Sequence, residues 1–204
     1  LNPMVKNAIK ENSSVLDIGC WDGNLGQYLI NKKNCVVDGI DFMEEPLKKA
    51  KEKSYKNVYC VDLNYEIEKL NKIDFKKYDF IVLADVIEHL VNPKDLLNYI
   101  NNKIDHETKI IISIPNIAFL KYRLLHLFGN FNYTNTGVMD KTHLRFFTNE
   151  SIKNLVDDCN FKINYLKGYT LIGVKSYLLD FLASYLPNIF AIQFLIECQK
   201  KTNQ

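Results

Sequence analysis

Short apolar runs that end in glycine or an acid recur along the first half of the chain, with helical spacing between them. Val15, Leu16 and Ile18 form the first run, Gly19 and Gly23 break it, and Leu25, Tyr28 and Leu29 resume at helical intervals to about Asn31. The pattern predicts strand, glycine turn and helix, the geometry that aims a helix N-terminus and a row of backbone N–H groups at a ligand. Further strands are predicted over 35–41, 58–62, 78–85 and 109–114. A lead-in helix over 1–12 carries Val5 and Ile9. Glu44, Glu45 and Pro46 start a helix with Leu47 and Ala50 inside, and Asn92-Pro93 opens one carrying Leu96, Leu97 and Ile100. Strands alternating with helices at this spacing mean βαβ units and a right-handed, doubly wound parallel sheet with helices on both faces. The fold class is α/β, Rossmann-like.

Beyond Pro115 the pattern changes. A helix dense in Leu, Tyr and Phe is predicted over 117–128, followed by a long polar stretch over 129–149, a candidate lid over an acceptor site. Thr148 suits an N-cap for a helix over 149–159. Residues 161–166 alternate like a half-buried strand, 176–185 read as an apolar helix, and 192–198 form the last strand. With no repeat and no composition break, residues 1–204 are expected to form one domain.

Acids sit at successive strand ends. In open parallel sheets ligands bind beyond the carboxyl ends of the strands, so Asp41, Asp62 and Asp85 are expected along one edge. Asp41, about twenty residues past the glycine turn, is placed to accept both ribose hydroxyls of an adenosine, while Asp38 points to the other face by alternation. Asp62 before Leu63 suits an adenine, whose amine wants an acceptor and whose ring wants a flat apolar wall; a turn acid is the simpler alternative. Asp17 lies inside a strand end, where a carboxylate needs a partner or a task.

Composition narrows the class. At 204 residues, with 47% hydrophobic and 25% charged residues, the chain can bury one full α/β core. A net charge of +2 gives no reason to expect nucleic acid, and Lys48, Lys49, Lys51 and Lys53 read as a solvated helix face. Five cysteines show no Cys-x-x-Cys pair and no zinc spacing, and Cys20, Cys35 and Cys60 fall in or beside apolar runs. A reduced, cytoplasmic compartment, no metal and no membrane span are expected. The apolar stretch 181–196 is divided by Pro187 and Asn188. The chain opens on Leu1 without a signal-peptide pattern, which fits an excised segment.

The ordered set Val15-Leu-Asp-Ile-Gly-Cys-Trp-Asp-Gly, Gly39-Ile-Asp, Asp62-Leu63 and Asp79-Phe-Ile-Val-Leu-Ala-Asp-Val-Ile-Glu-His-Leu resembles class I S-adenosylmethionine-dependent methyltransferases. The Asp85–Leu90 run and His143-Leu-Arg-Phe-Phe-Thr resemble the branch that methylates small molecules, including ubiquinone-biosynthesis-type enzymes and methyltransferases of surface-sugar pathways. The resemblance spans about residues 13–198. It implies a seven-stranded sheet, mostly parallel with an antiparallel last strand. It also implies an S-adenosylmethionine site drawing on Asp17, Gly19, Cys20, Trp21 and Gly23 at the turn, Asp41 and Phe42, Asp62 and Leu63, and Ala84 and Asp85. One departure stands out. The family's Gly-x-Gly-x-Gly carries Trp21 at the middle glycine, where a side chain could obstruct the cofactor's methionine part, although binding is expected to survive.

Methyl transfer from a sulfonium is an in-line displacement that asks for alignment and exclusion of water, and a hydroxyl acceptor benefits from a base. Of the four histidines, His143 in the candidate lid is the preferred base and His89 the second, with Glu88 or Asp85 orienting it. The alternative for His143-Leu-Arg-Phe-Phe is structural, two aromatics anchoring a loop with Arg145 paired to an acid. Asn116, Tyr122, Arg123 and Tyr133 are acceptor-site candidates by position. The expected function is methylation of an O or N on a small polar metabolite, a sugar or sugar-linked group preferred, by a monomer or homodimer. Two alternatives stay open: a catalytically silent cofactor-binding or scaffold module, for which Trp21 speaks, and an NAD-dependent oxidoreductase. Against the latter, the turn reads Gly19-x-x-x-Gly23-x-x-Gly26.

Overall fold

The computed structural model describes residues 3–170, 181–183 and 185–202. Its strands are β1 (Ser14–Ile18), β2 (Val36–Asp41), β3 (Val58–Cys60), β4 (Phe80–Ala84), β5 (Lys109–Pro115), β6 (Phe161–Tyr169) and β7 (Gln193–Lys200). They form one sheet in the order β3-β2-β1-β4-β5-β7-β6. β1 to β5 run parallel, and β7 is antiparallel to both β5 and β6. The expected mostly parallel sheet with an antiparallel last strand is what forms. Strand order reverses between β1 and β4, so the chain leaves a crevice at their carboxyl ends.

Seven helices accompany the strands among the described residues: α1 (Pro3–Ala8), α2 (Asn24–Lys33), α3 (Glu44–Glu52), α4 (Pro93–Lys103), α5 (Leu120–Leu127), α6 (Asn149–Asp158) and α7 (Pro187–Phe190). Alternation along the strands sends residues to two cores. Leu16, Ile18, Ile81, Leu83, Ile110 and Ile112 join Leu96, Leu97 and Ile100 of α4 and Ile152 and Val156 of α6. Val15, Val37, Val82 and Ile111 join Val5 of α1, Leu29 of α2 and Leu47 and Ala50 of α3. Burial on both faces accounts for the continuous apolar runs of β4 and β5.

Several boundaries differ from the sequence expectation. The lead-in helix covers Pro3–Ala8, and the third strand stops at Cys60, leaving Asp62 in a turn where its Oδ1 accepts the Asn64 N–H at 2.9 Å. Cys60 is exposed beside this edge strand, whereas Cys20 and Cys35 are buried as expected, and all five thiols are free. α5 begins at Leu120, three residues late, because Asn116 Oδ1 accepts the Ala118 N–H and holds the chain in a turn. None of its side chains is buried, and Leu124, Leu125, Leu127 and Phe128 are exposed. Thr148 caps α6 as expected, through the Ser151 N–H at 3.2 Å. The helix expected over 176–185 falls largely outside the described residues. No helix of the described residues is long and apolar enough to cross a membrane.

One buried contact ties β1, β2 and the start of α2 together. Tyr55 is 2% exposed. Its hydroxyl donates to Asp17 Oδ2 at 2.6 Å and accepts the Gly26 N–H at 2.9 Å. A Cβ on Gly26 would stand 2.2 Å from the tyrosine ring, and one on Gly23 or Gly39 2.8 Å from it. Gly23 also needs its left-handed φ of +78° at the head of α2. Burial raises the Asp17 pKa from 3.8 to about 7, against the lowering effect of the Tyr55 hydrogen bond, with the neighbouring Asp41 charge adding to the rise.

Two outcomes are expected. Tyr55→Phe leaves a buried carboxyl and a buried N–H unpartnered, so stability falls by about 2–4 kcal/mol, read as a lower urea midpoint at unchanged slope. A carboxyl whose folded pKa exceeds its unfolded one stabilises at low pH and loses that contribution as pH rises, here between 3.8 and about 7. The stability of Asp17→Asn relative to the parent therefore grows across that window, by on the order of 2–4 kcal/mol in total. Parallel stability–pH curves for the two proteins would show that Asp17 keeps an ordinary pKa.

Candidate active site

A cleft of about 590 Å³ opens at the carboxyl ends of β1 to β4, within the usual range for small-molecule sites. Gly19 contributes from the turn after β1, Asp41 and Phe42 from the end of β2, Val61 to Asn64 from the turn after β3, and Ala84 to Val86 from the end of β4. His89, Leu90 and Thr142 complete the wall, and Trp21 stands at the turn. Asp41, Asp62 and Asp85, expected along one edge of the sheet, face one space.

Asp41 is 6% exposed. Its Oδ2 accepts the Trp21 N–H at 2.9 Å and its Oδ1 the Met43 N–H at 3.0 Å. Each oxygen keeps a further lone pair for a ligand hydroxyl. The same two bonds fasten the glycine turn to the loop after β2. Gly19 has a left-handed φ of +73°, and a Cβ there would stand 2.5 Å from Val86 Cγ2. Leu63, Val86 and Leu90 give the cleft its apolar surface.

Three residues named from sequence lie behind the cleft wall. Asp17 falls on the Val15 side of β1, short of the strand end, where its carboxyl meets the Tyr55 hydroxyl below the opening. Cys20 is buried against Gly39, and Gly23 packs on Ala50 and Tyr55. Burial also pushes the Cys20 thiol well above its ordinary range. Asp38 goes to the opposite face as expected, where Tyr78 Oη donates at 2.6 Å and Lys77 Nζ lies at 2.8 Å.

At the other end of the cleft the chain brings together His89, which lines it, and His143, 54 residues away, which lies behind it and is not part of the lining. After β4, Asp85 adopts a φ of +57° and its Oδ1 accepts from Ser113 Oγ at 2.9 Å and from Gln193 Nε2. A short turn, Ile87–His89, follows. The Leu144 and Arg145 N–H groups both donate to the Glu88 carbonyl, at 2.8 and 3.0 Å, which clamps the 129–148 segment onto this turn. His143 then packs edge-to-face on His89 with ring centroids 4.8 Å apart. His143 Nδ1 lies 3.0 Å from the Val138 carbonyl, and His89 Nδ1 lies 3.1 Å from the Thr142 carbonyl. A carbonyl can only accept, so in the neutral form of each ring these contacts place the proton on Nδ1 and the acceptor lone pair on Nε2. Burial lowers the His143 pKa below 6.5, opposed by the Val138 contact and assisted by His89.

Beneath them Glu88 is 1% exposed, and among the described residues neither carboxyl oxygen has a hydrogen-bond partner. Burial first, and then the Asp85 charge, raises its pKa well above the ordinary value. Donor atoms of Glu88, His89 and His143 lie within 4.8 Å of one another, close enough for one divalent cation. The sequence reading expected no metal and did not see this set. The isolation of Glu88 depends on what surrounds it, and no local motif signals that. Among the described residues Arg145 pairs with no acid, and its Nε donates to the Val91 carbonyl at 3.0 Å. Phe147 is buried, while Phe146 joins Phe131 and Tyr133 in an edge-on aromatic cluster that reaches His143. Asn116 is buried and bonded to the Ala191 carbonyl, and Arg123 bonds the Ala118 carbonyl. Neither joins the cleft lining.

The comparisons agree with this architecture. Residues 2–166 match the family model described as a methyltransferase domain. A mitochondrial ubiquinone biosynthesis O-methyltransferase of Dictyostelium discoideum is 27% identical over 168 residues, covering 78% of this chain and 52% of the relative. The chain thus spans about half that relative's length. A ubiquinone biosynthesis O-methyltransferase of Haemophilus ducreyi is 22% identical over 180 residues, covering 83% of this chain and 76% of its own. A SAM-dependent methyltransferase of Archaeoglobus fulgidus superposes with a TM-score of 0.67 at 21% identity, over 97% of this chain and 93% of that one. With four-fifths of its length matched by the family model and its cleft at the switch point of the sheet, the chain belongs to the methyltransferase domain family, among the class I S-adenosylmethionine-dependent methyltransferases.

Proposed function

We propose that the chain transfers the methyl group of S-adenosylmethionine to a hydroxyl oxygen of a small polar metabolite, with a sugar or sugar-linked hydroxyl as the preferred acceptor. The observation that carries the oxygen acceptor is the His143–His89 pair, two imidazoles with Nδ1 directed at backbone carbonyls and Nε2 left to take a proton. The relatives named as O-methyltransferases support the same choice. The cleft residues fit the cofactor: Asp41 has lone pairs for ribose hydroxyls, Asp62 beside Leu63 offers an acceptor and an apolar wall, and Gly19 lets backbone approach closely. Asp17, Cys20 and Gly23 support that surface from behind.

S-adenosylmethionine, when bound, supplies a methyl group on a positively charged sulfur, which leaves as a neutral thioether. The chain's own residues do the rest. The apolar cleft wall excludes water, and the 129–148 segment, held on the Glu88 carbonyl, brings His143 to His89. The imidazole Nε2 takes the hydroxyl proton as the oxygen becomes the nucleophile. Glu88, whose donor atoms lie within 4.8 Å of those of His89 and His143, borders the imidazolium that results. A ring-bearing acceptor would find an apolar surface on Phe131, Tyr133 and Phe146. The competing reading is a module that binds the cofactor without turnover.

Two measurements test this. Calorimetric titration with S-adenosylmethionine should show binding that Asp41→Ala weakens at least tenfold, and no binding by the parent would overturn the cofactor assignment. With an acceptor found among nucleotide sugars, free sugars and phenols, His143→Gln should lower kcat at least a hundredfold, as loss of a general base does. Because burial lowers the His143 pKa, the acidic limb of kcat/KM for the parent should lie below pH 6.5. Activity abolished by a chelator and restored by a divalent cation would reassign the Glu88–His89–His143 set from proton transfer to metal binding.

A further inference from the structure

Trp21 is the single tryptophan of the chain, and it occupies the position where the family carries its middle glycine. Three observations bear on why. First, its backbone has kept the glycine conformation, with φ at +49°, a region that L-residues enter at a cost and that glycine enters freely. Second, the indole is 54% exposed and Phe42, across Asp41, is 63% exposed. No aromatic pair among the described residues includes either ring. Third, both line the cofactor cleft, and both are anchored to one buried carboxylate: Asp41 accepts the Trp21 N–H on Oδ2 and the Met43 N–H, next to Phe42, on Oδ1.

Exposed single aromatics need no explanation, but two that flank one buried acid at the mouth of one cleft, one of them on strained backbone, do. A tryptophan that merely filled a tolerated gap would be replaced at no cost by a residue suited to positive φ. We infer that Trp21 and Phe42 are a pair of aromatic jaws that close over S-adenosylmethionine where Asp41 holds it, so that Trp21 tightens cofactor binding where a side chain in a glycine turn would be expected to obstruct it. The inference rests on the cofactor reading above. Closure would bury two apolar faces that now stand in water and shut water out of the cleft. Trp21 is then a positioning and affinity residue, with no part in proton transfer.

The two views of Trp21 predict opposite signs. Obstruction predicts that Trp21→Gly binds the cofactor more tightly, since it removes both bulk and backbone strain. Jaws predict that Trp21→Gly binds more weakly, by about tenfold in Kd, while Trp21→Phe restores most of the affinity. The lone indole also supplies a direct readout. In the parent, S-adenosylmethionine and its demethylated product should each change the tryptophan emission saturably, with the Kd that calorimetry gives. Phe42→Ala should raise that Kd and reduce the emission change. Thermal melting separates binding from folding, because Trp21→Gly relieves a left-handed residue and should melt no lower than the parent. Absence of calorimetric binding by the parent sinks the cofactor reading itself. Normal parent binding with unchanged emission, or equal or tighter binding by Trp21→Gly, overturns the jaws alone.

Discussion

The hydrogen bond from Tyr55 to Asp17 holds the active end of this protein in shape. The ring enters a space that Gly23, Gly26 and Gly39 leave open, and its hydroxyl links the strand that begins the sheet to the first turn of the following helix. The glycine turn is therefore braced from behind by a buried tyrosine and from the front by Asp41, which accepts the Trp21 N–H. A cleft wall made largely of backbone needs such bracing, because its N–H groups cannot adjust independently as side chains do. Three glycines that look like loop flexibility in the sequence serve instead as a socket. A methyl group on any of them would meet the ring at under 3.0 Å.

Asp17 and Asp41 show how one residue type is given two tasks by position alone. Both end parallel strands at the same edge of the sheet. Asp17 falls on the strand face that looks toward α1 to α3, where burial raises its pKa to about 7 and a phenol is its partner. Asp41, at the end of β2, reaches the crevice and accepts from two backbone N–H groups. Both lie on one face of the sheet, since Asp17 pairs with Gly39 two residues before Asp41, so depth along the strand decides between them and the chemistry follows from the neighbours at each level.

Much of this was legible in the sequence because it is local. Apolar runs marked the strands, the acid at each strand end marked the crevice edge, and Thr148 marked the start of α6. What stayed hidden depends on meetings between distant segments. Tyr55 sits in a short polar stretch, Lys53-Ser-Tyr-Lys-Asn, with no apolar neighbour to reveal that it is almost fully buried. Glu88 lies beside His89 in a motif that promises a partnered acid, yet both of its oxygens lack hydrogen-bond partners among the described residues. The structural alternative for the His143–Phe147 run has Arg145 paired to an acid, and the Val91 carbonyl meets it instead because the loop folds across the turn after β4. β3 ended two residues short because its last residues leave the sheet for a turn that Asp62 organises.

The sheet and the loop divide the work of the site. The residues that face the cleft from the ends of β1 to β4 are placed by the sheet, and the same placement would serve any ligand bound at a switch point. The two imidazoles are different. The Val138 carbonyl assigns the tautomer of His143 and the Thr142 carbonyl assigns that of His89, and both carbonyls belong to the segment between α5 and α6. That segment is irregular apart from isolated bridges and is held to the sheet edge by the Glu88 carbonyl and the buried Phe147. Disordering it would therefore remove one imidazole from the site and release the proton position of the other in a single step. The scaffold fixes the cleft, and the loop fixes whether the second imidazole stands behind it. A chain could keep the first and lose the second by changes confined to residues 129–148.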